Sequence, residues 1–156
     1  CRNSTGKANF SWPAELRFWQ SALLSDQLNW EANVLGYVTI GTNNIEQARA
    51  FYGALLAELG MKELFDNERL YFFGDNPQGP FVVVGGPYDK QAASVGNGMM
   101  VALKCADNAK IDAMHAKALE LGATDEGAPG ERVPNMFYGA YIRDLDGNKI
   151  CFYKMG

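Results

Sequence analysis

Apolar residues in the first regular part of the chain change from a strand-like to a helix-like spacing. Residues 34–40 form a short β-rich run, and Thr42-Asn43-Asn44 then offers side chains that commonly cap helices. After this turn the apolar positions recur at helical spacing, at Ile45, Ala48, Phe51 or Tyr52, Leu55 and Leu59. Gly60 follows, and glycine commonly ends helices. The pattern predicts a strand and then an amphipathic helix of about four turns.

Three shorter apolar or aromatic runs follow this helix, at residues 62–65, 69–73 and 81–84. The gaps between them contain Asp, Asn, Pro and Gly, which are typical of turns, so neighbouring strands are expected to be antiparallel. The first half of the chain therefore has the predicted order βαβββ. A polar, Gly-rich connector follows it.

The second half repeats this order. Residues 99–103 form an apolar run, Asp107 is a plausible helix cap, and the predicted buried stripe is Ile111, Met114, Ala118 and Leu121. Three residues of the first helix region recur at a constant offset, with Ala54, Leu59 and Gly60 matched by Ala116, Leu121 and Gly122. The repetition predicts one structural unit used twice.

The second unit ends in a predicted hairpin. A short strand is expected around residues 123–125, and residues 127–135, rich in Gly and Pro, are expected to form a long loop that serves as a rim or lid. Two runs rich in Tyr, Ile and Phe then flank Asp144–Asn148, whose Asp-Gly favours a tight turn. Side chains alternate along a strand, so one face of the last run is apolar and the other carries Cys151 and Tyr153.

The N-terminal residues 1–33 differ from the rest. Residues 1–10 show no period, whereas Leu16, Trp19 and Leu23 lie at helical spacing, which predicts a helix over residues 13–30. Such a helix fits an extension that packs on the main domain or across a dimer. A partner-binding or membrane-surface helix is less favoured, because its polar face is not rich in Lys or Arg.

Composition narrows the class of protein. The 156 residues are 47% hydrophobic and 21% charged, which is typical of a soluble globular domain. A net charge of -4 argues against nucleic acid or an anionic membrane as partner, since both attract basic surfaces. The three cysteines are few, odd in number and widely spaced, which favours a reduced cytoplasmic setting over a disulfide framework.

Together these elements resemble the vicinal oxygen chelate superfamily, which includes glyoxalases, bleomycin-resistance proteins and extradiol dioxygenases. The resemblance rests on the βαβββ repeat, the opening GYVTIGTNNIEQARAFY, the helix end LELG and the closing RDLDGNKICFY. It implies an α+β fold in which two βαβββ modules form a curved mixed-sheet cup, usually completed or capped within a homodimer. The implied domain is 34–156, with module one at 34–86, a connector at 87–97 and module two at 98–156.

The resemblance also shows where this chain departs from the metal enzymes of the superfamily. Their His and Glu ligands correspond here to Tyr37, Val83, Met100 (or Met99) and Cys151. Apart from the thiol, these side chains are poor partners for Mg, Mn, Fe or Zn, which favour carboxylate and imidazole. We therefore expect no metal and no other cofactor.

Histidine content supports this expectation independently of the family. His115 is the single histidine of the chain, so a two-His site cannot be built within one copy. It lies mid-helix beside the predicted buried stripe. We interpret it as a surface or edge residue of that helix.

Strand alternation then predicts which side chains would line the cup. A small-molecule site is mostly apolar with a few convergent polar groups, and the predicted ligand-binding residues are Tyr37, Thr39, Phe81, Val83, Met100, Tyr141, Arg143, Cys151 and Tyr153. Simpler roles exist for several of them. Tyr141 and Tyr153 are also ordinary sheet aromatics, Arg143 could either pair with Asp144 or anchor an anionic ligand, and Cys151 is better explained as a buried structural thiol than as a nucleophile.

Three functions remain compatible with the sequence. The first, favoured by the missing metal ligands, is a cytoplasmic, homodimeric protein that binds a small organic molecule, as bleomycin-resistance proteins do. The second is a lyase or isomerase related to lactoylglutathione lyase, acting through a metal or through Tyr37 as acid and base. The third is an interaction module whose cup is filled by its own side chains.

Overall fold

A computed structural model describes residues 34–156 of the chain, and Leu35–Gly156 forms one compact unit. The helix predicted over residues 13–30 lies outside the described residues. Within them the chain forms, in order, β1 (Tyr37–Gly41), α1 (Ile45–Ala57), β2 (Lys62–Asp66), β3 (Leu70–Gly74), β4 (Phe81–Gly85), β5 (Val101–Lys104), α2 (Asn108–Glu120), β6 (Thr124–Val133), β7 (Phe137–Arg143) and β8 (Lys149–Met155).

These elements form two four-stranded mixed sheets with the same topology. The strand order is β1-β4-β3-β2 in module one and β5-β8-β7-β6 in module two. In each sheet the first strand pairs with the last in parallel, and the other neighbours are antiparallel. The predicted repeat of two βαβββ units is confirmed.

Each helix begins at a cap that the sequence predicted. The Asn44 side chain accepts a hydrogen bond from the Gln47 amide at 3.2 Å, and Asp107 accepts one from the Lys110 amide at 2.7 Å. Both helices are 13 residues long, and no helix within residues 34–156 is long and apolar enough to cross a membrane.

The helices cover one side of each sheet. The buried core on this side draws on both modules, through residues including Ile40, Leu55, Val84, Ile111, Met114, Ile142, Ile150 and Phe152. His115 lies with them, 7% exposed, so its interpretation as a surface or edge residue is wrong. It is buried because position 115 continues the stripe that runs through Ile111 and Ala118, and because its Nε2 contacts Asp125 Oδ1 at 2.9 Å.

The long loop predicted over residues 127–135 is also wrong for most of its length. β6 continues to Val133, and register shifts beside Gly127 and Gly130 absorb the irregular residues. β6 lies at the edge of its sheet, where proline is tolerated because one side of the strand needs no ladder partner. Only residues 134–136 remain to connect β6 to β7.

Candidate functional site

The turn between β7 and β8 binds module two to module one. Asp144 is buried, and its carboxylate accepts hydrogen bonds from the Tyr52 hydroxyl at 2.6 Å and from the Asn148 amide at 2.7 Å. Burial, followed by the charge of Asp144, raises the pKa of Tyr52 well above its ordinary value. The phenol therefore stays protonated and remains a hydrogen-bond donor at neutral pH.

Two more residues of this turn reach module one. The Asp146 carboxylate accepts hydrogen bonds from Thr42 Oγ1 at 2.5 Å and from the Asn43 amide at 2.9 Å. Asn148 donates from Nδ2 to the Gly41 carbonyl at 2.9 Å. We call these contacts of Asp144, Asp146 and Asn148 the inter-module clasp. The clasp holds the end of β1 against the turn that leads into β8.

The side of the module-one sheet opposite the helix carries four of the predicted residues. Tyr37 pairs with Phe81 and Thr39 with Val83 in the parallel register, so all four side chains share one face. Two phenylalanines that we did not predict lie there too. The Phe72 ring lies 5.9 Å from that of Phe81, and stacks on Phe65 with ring centroids 4.3 Å apart. We call this surface the module-one face.

The corresponding module-two face is built by the hairpin. Tyr141 pairs with Cys151, and Gly139 with Tyr153, so the predicted tyrosines and the thiol share one side of the sheet, together with Arg143. The Tyr153 ring is stacked on that of Phe137 with 5.7 Å between centroids. The predicted alternation of side chains along these strands is confirmed.

Each face has a buried residue near its centre. Val83 and Cys151 are both 0% exposed, yet neither belongs to the core cluster on the helix side. Burial raises the pKa of Cys151 to about 11, although a hydrogen bond from Tyr141 opposes the shift. The thiol is therefore protonated at neutral pH and is a poor nucleophile. In this conformation neither side chain is open to a ligand.

Arg143 forms its ion pair with Glu126 and not with Asp144, the partner considered from the sequence. Its guanidinium contacts the Glu126 carboxylate through Nε and, at 2.7 Å, through Nη2, and it donates from Nη1 to the Gly147 carbonyl at 3.0 Å. The hydrogen bond from Arg143 is the main cause of a lowered Glu126 pKa. Asp144 is instead occupied in the inter-module clasp. An incoming anion would therefore compete with Glu126 for Arg143.

Met100 lies just before β5, on the side of Ala102, and is 44% exposed. Within residues 34–156 no hydrogen bond, ion pair or ring contact joins the predicted residues of one face to those of the other. Two surface depressions within residues 34–156 are lined by none of the predicted residues, one of about 470 Å³ beside Glu58 and Lys110 and one of about 220 Å³ beside Met136 and Lys154.

The residues present do not fit a metal centre of the superfamily. Within the described part of the chain, no three His, Cys, Asp or Glu side chains lie together as a metal ion would need. Tyr37 and Val83, which the family resemblance aligns with metal ligands, lie on the module-one face, and neither supplies an imidazole or a carboxylate.

Sequence reasoning missed several residues of the two faces. Phe65 and Phe72 were detectable, because each lies in a predicted strand with the parity of the face. Arg132 reaches the module-two face, with its Cζ 5.4 Å from the centroid of the Tyr141 ring. It was missed because residues 127–135 were assigned to a loop, where alternation gives no information.

Comparisons with known proteins agree with this architecture. The sequence profile of the Glyoxalase/Bleomycin resistance protein/Dioxygenase superfamily matches residues 34–152. A search of curated proteins finds no significant match.

Solved structures of similar proteins cover the same part of the chain. A glyoxalase/bleomycin resistance protein from Albidiferax ferrireducens T118 is 35% identical, with a TM-score of 0.70 over 78% of this chain and 98% of that one. A glyoxalase/bleomycin resistance protein/dioxygenase family enzyme from Burkholderia phytofirmans PsJN shares the fold at 18% identity, with a TM-score of 0.63 and the same two coverages. The chain therefore belongs to the Glyoxalase/Bleomycin resistance protein/Dioxygenase superfamily.

Proposed function

We propose that this protein binds a small organic molecule against its two sheet faces without using a metal ion. The observation that carries the proposal is the chemistry of the faces: they carry aromatic rings, aliphatic side chains and a few hydroxyl groups, including at positions that the family resemblance assigns to imidazole and carboxylate ligands. Apolar walls with sparse polar groups are what small-molecule sites generally require.

The module-two face offers a partly exposed aromatic surface for such a ligand. The rings of Tyr141 and Tyr153 are partly exposed and stand on one side of the hairpin. A planar molecule could lie against them with ring contacts of the kind that Tyr153 already makes with Phe137. Tyr37 and Thr39 would contribute from the module-one face. A second copy of the chain, as expected for a homodimer, would close the site.

The test measures ligand and metal on one purified sample. Native mass spectrometry is expected to show a co-purifying organic molecule, or binding from a library of aromatic compounds, that survives EDTA treatment. Elemental analysis is expected to find no stoichiometric metal. Stoichiometric Zn, Ni, Mn or Fe, or binding that EDTA abolishes, would overturn the proposal.

The interaction-module alternative is favoured by one observation on module one. Phe65, Phe72 and Phe81 pack on one another across the face, so part of that face is covered by its own rings. Under this alternative no small molecule would bind with micromolar affinity. A purified protein that stays without ligand through the library screen would support it.

The lyase alternative is tested by turnover. A hemithioacetal substrate should remain unchanged with and without added divalent metal. Within the described residues, no hydrogen bond or ion pair joins Tyr37 to an acidic or basic side chain that could exchange a proton with it. Turnover that depends on metal, or that is lost in Tyr37→Phe, would favour the alternative instead.

A further inference from the structure

We infer that Arg132, together with Tyr141 and Lys149, forms a site for the carboxylate of a planar organic anion on the module-two face. This inference rests on the proposed function and adds the charge class of the ligand. The anion would contact Arg132 on β6 and not Arg143 on β7, because Glu126 already pairs with Arg143.

The Tyr141 ring has two cations near it. Arg132 Cζ is 5.4 Å and Lys149 Nζ is 5.3 Å from its centroid. Cation–π contact of this kind holds a charged group over an aromatic surface while leaving its other donors free. The arrangement therefore presents positive charge at the edge of the aromatic surface on which a planar ligand would lie.

Glycines on β6 make this placement possible. A Cβ at position 127 would lie 2.9 Å from Cδ2 of Tyr141, and one at position 130 would lie 3.1 Å from Nη1 of Arg132. The Tyr141 ring thus uses space that a side chain at position 127 would occupy, whereas the Arg132 guanidinium would need to shift only slightly for a side chain at position 130. The guanidinium is positioned by backbone as well as by its hydrogen bond to the Ala128 carbonyl.

The local charge balance is positive. Arg132, Arg143 and Lys149 contribute three cations to this part of the face, and Glu126 contributes one carboxylate, which contacts Arg143 and lies 3.5 Å from Lys149 Nζ. Arg132 makes no ion pair within residues 34–156. A positive patch on a chain of net charge -4 favours an anionic ligand, and a guanidinium with free donors suits a planar carboxylate.

The test compares two probes of the same shape, 2-naphthoate and neutral 2-naphthamide, by isothermal titration calorimetry. Wild-type protein is expected to bind the carboxylate about tenfold more tightly than the amide, the ratio expected for one additional charge-assisted hydrogen bond. Arg132→Gln should remove most of this preference, and Arg132→Lys should keep part of it, because lysine retains the charge and loses the bidentate geometry.

The matched control is Arg69→Gln. Arg69 also lies over a tyrosine, 5.7 Å from the Tyr88 ring, and also donates to a carbonyl, that of Gly86 at 2.7 Å. It belongs to module one, so its loss should leave the preference unchanged. Chemical-shift changes at the Tyr141 ring on addition of naphthoate would place the probe.

Three results would reject the proposed anion site. Equal binding of both probes, unchanged in Arg132→Gln, rejects the anion site and leaves the proposed function standing. Binding of neither probe up to its solubility limit rejects the anion site and counts against the proposed function as well. The inference is also overturned if Arg132→Gln has the same unfolding temperature as the wild-type protein, and so is folded, but still binds 2-naphthoate tenfold more tightly than 2-naphthamide.

Discussion

At the scale of single residues, one buried phenol connects the two modules. The Tyr52 hydroxyl is 2.6 Å from the Asp144 carboxylate, although the two residues are far apart in sequence. Neither side chain is open to water. Such a bond stabilises the native state mainly because its loss would leave a buried charge with one donor fewer.

Replacing Tyr52 by Phe should therefore lower the free energy of unfolding by about 1–3 kcal/mol, the range for a hydrogen bond to a charged group. The matched control is Tyr71→Phe, because Tyr71 is also buried and its hydroxyl makes no hydrogen bond within residues 34–156. Urea unfolding followed by circular dichroism measures both variants. Equal effects would show that loss of the hydroxyl itself, not loss of its bond, is responsible.

The same bond predicts a pH dependence. The pKa of Tyr52 is raised in the native state above its ordinary value of 10, so the native state retains a proton that the unfolded state releases. This contribution to stability is present below pH 10 and is lost as the pH rises beyond it. Between pH 9 and pH 11, wild-type stability should fall more steeply than that of Tyr52→Phe. Parallel curves would contradict the prediction.

Cys151 should be unreactive in the folded protein. It is fully buried, and burial raises its pKa to about 11, so thiolate is scarce at neutral pH. Iodoacetamide at pH 7.5 should label its peptide only after denaturation, as read by mass spectrometry. Rapid labelling of the native protein would show that the face opens around Cys151.

At the scale of elements, β6 shows how glycine shapes an edge strand. Tyr141 lies so close to β6 that a Cβ at position 127 would be 2.9 Å from its ring. Contacts below 3.0 Å require a neighbour to move. The position of the ring thus depends on the absence of a side chain at position 127.

Gly127→Ala should lower the free energy of unfolding by about 1–3 kcal/mol, as overpacking does elsewhere, and should weaken naphthoate binding by displacing Tyr141. Gly36→Ala is the control, because a Cβ there would meet nothing within 4 Å. Thermal unfolding and calorimetry give the two readouts. Wild-type behaviour of Gly127→Ala would mean that the ring has room to move.

At the scale of the whole molecule, the two sheets within residues 34–156 remain separate, and a shared buried core and polar contacts both join the modules. The inter-module clasp contributes hydrogen bonds from Asp146 to Thr42 and Asn43 and from Asn148 to Gly41. The clasp lies where β1 ends and β8 begins. Together with the shared core, it holds the end of β1 next to the start of β8.

Asp146→Ala should lower the free energy of unfolding by about 1–3 kcal/mol, because it removes charge-assisted bonds that cross between modules. Asp89→Ala is the control, since the hydrogen bond of Asp89 is local, from the Gln91 amide at 3.0 Å. Urea unfolding measures the free energy of unfolding of both variants, and that of Asp89→Ala should equal the wild-type value, with a single transition. Equal stability of the two variants would show that the clasp contributes little.

Much of this architecture was predictable because it depends on local patterns. Helix caps at Asn44 and Asp107, the apolar period of each helix and the Asp-Gly turn each act over a few residues. The predicted loop was wrong because glycine and proline in β6 signal a turn locally, whereas pairing with β7 keeps the segment extended. His115 was misplaced because its partner, Asp125, belongs to another element.

The sequence by itself determined the order of elements, the repeat and, in the strands other than β6, the side on which a residue lies, since these follow from periodicity and turn chemistry. Only the tertiary structure decided which charges are neutralised and which remain available. The sequence pattern favoured Arg143 as the anion anchor and placed Arg132 in a loop, yet Glu126 pairs with Arg143 and leaves Arg132 over a tyrosine ring. Electrostatic partners depend on distances across strands, and residue spacing along a chain does not encode those distances.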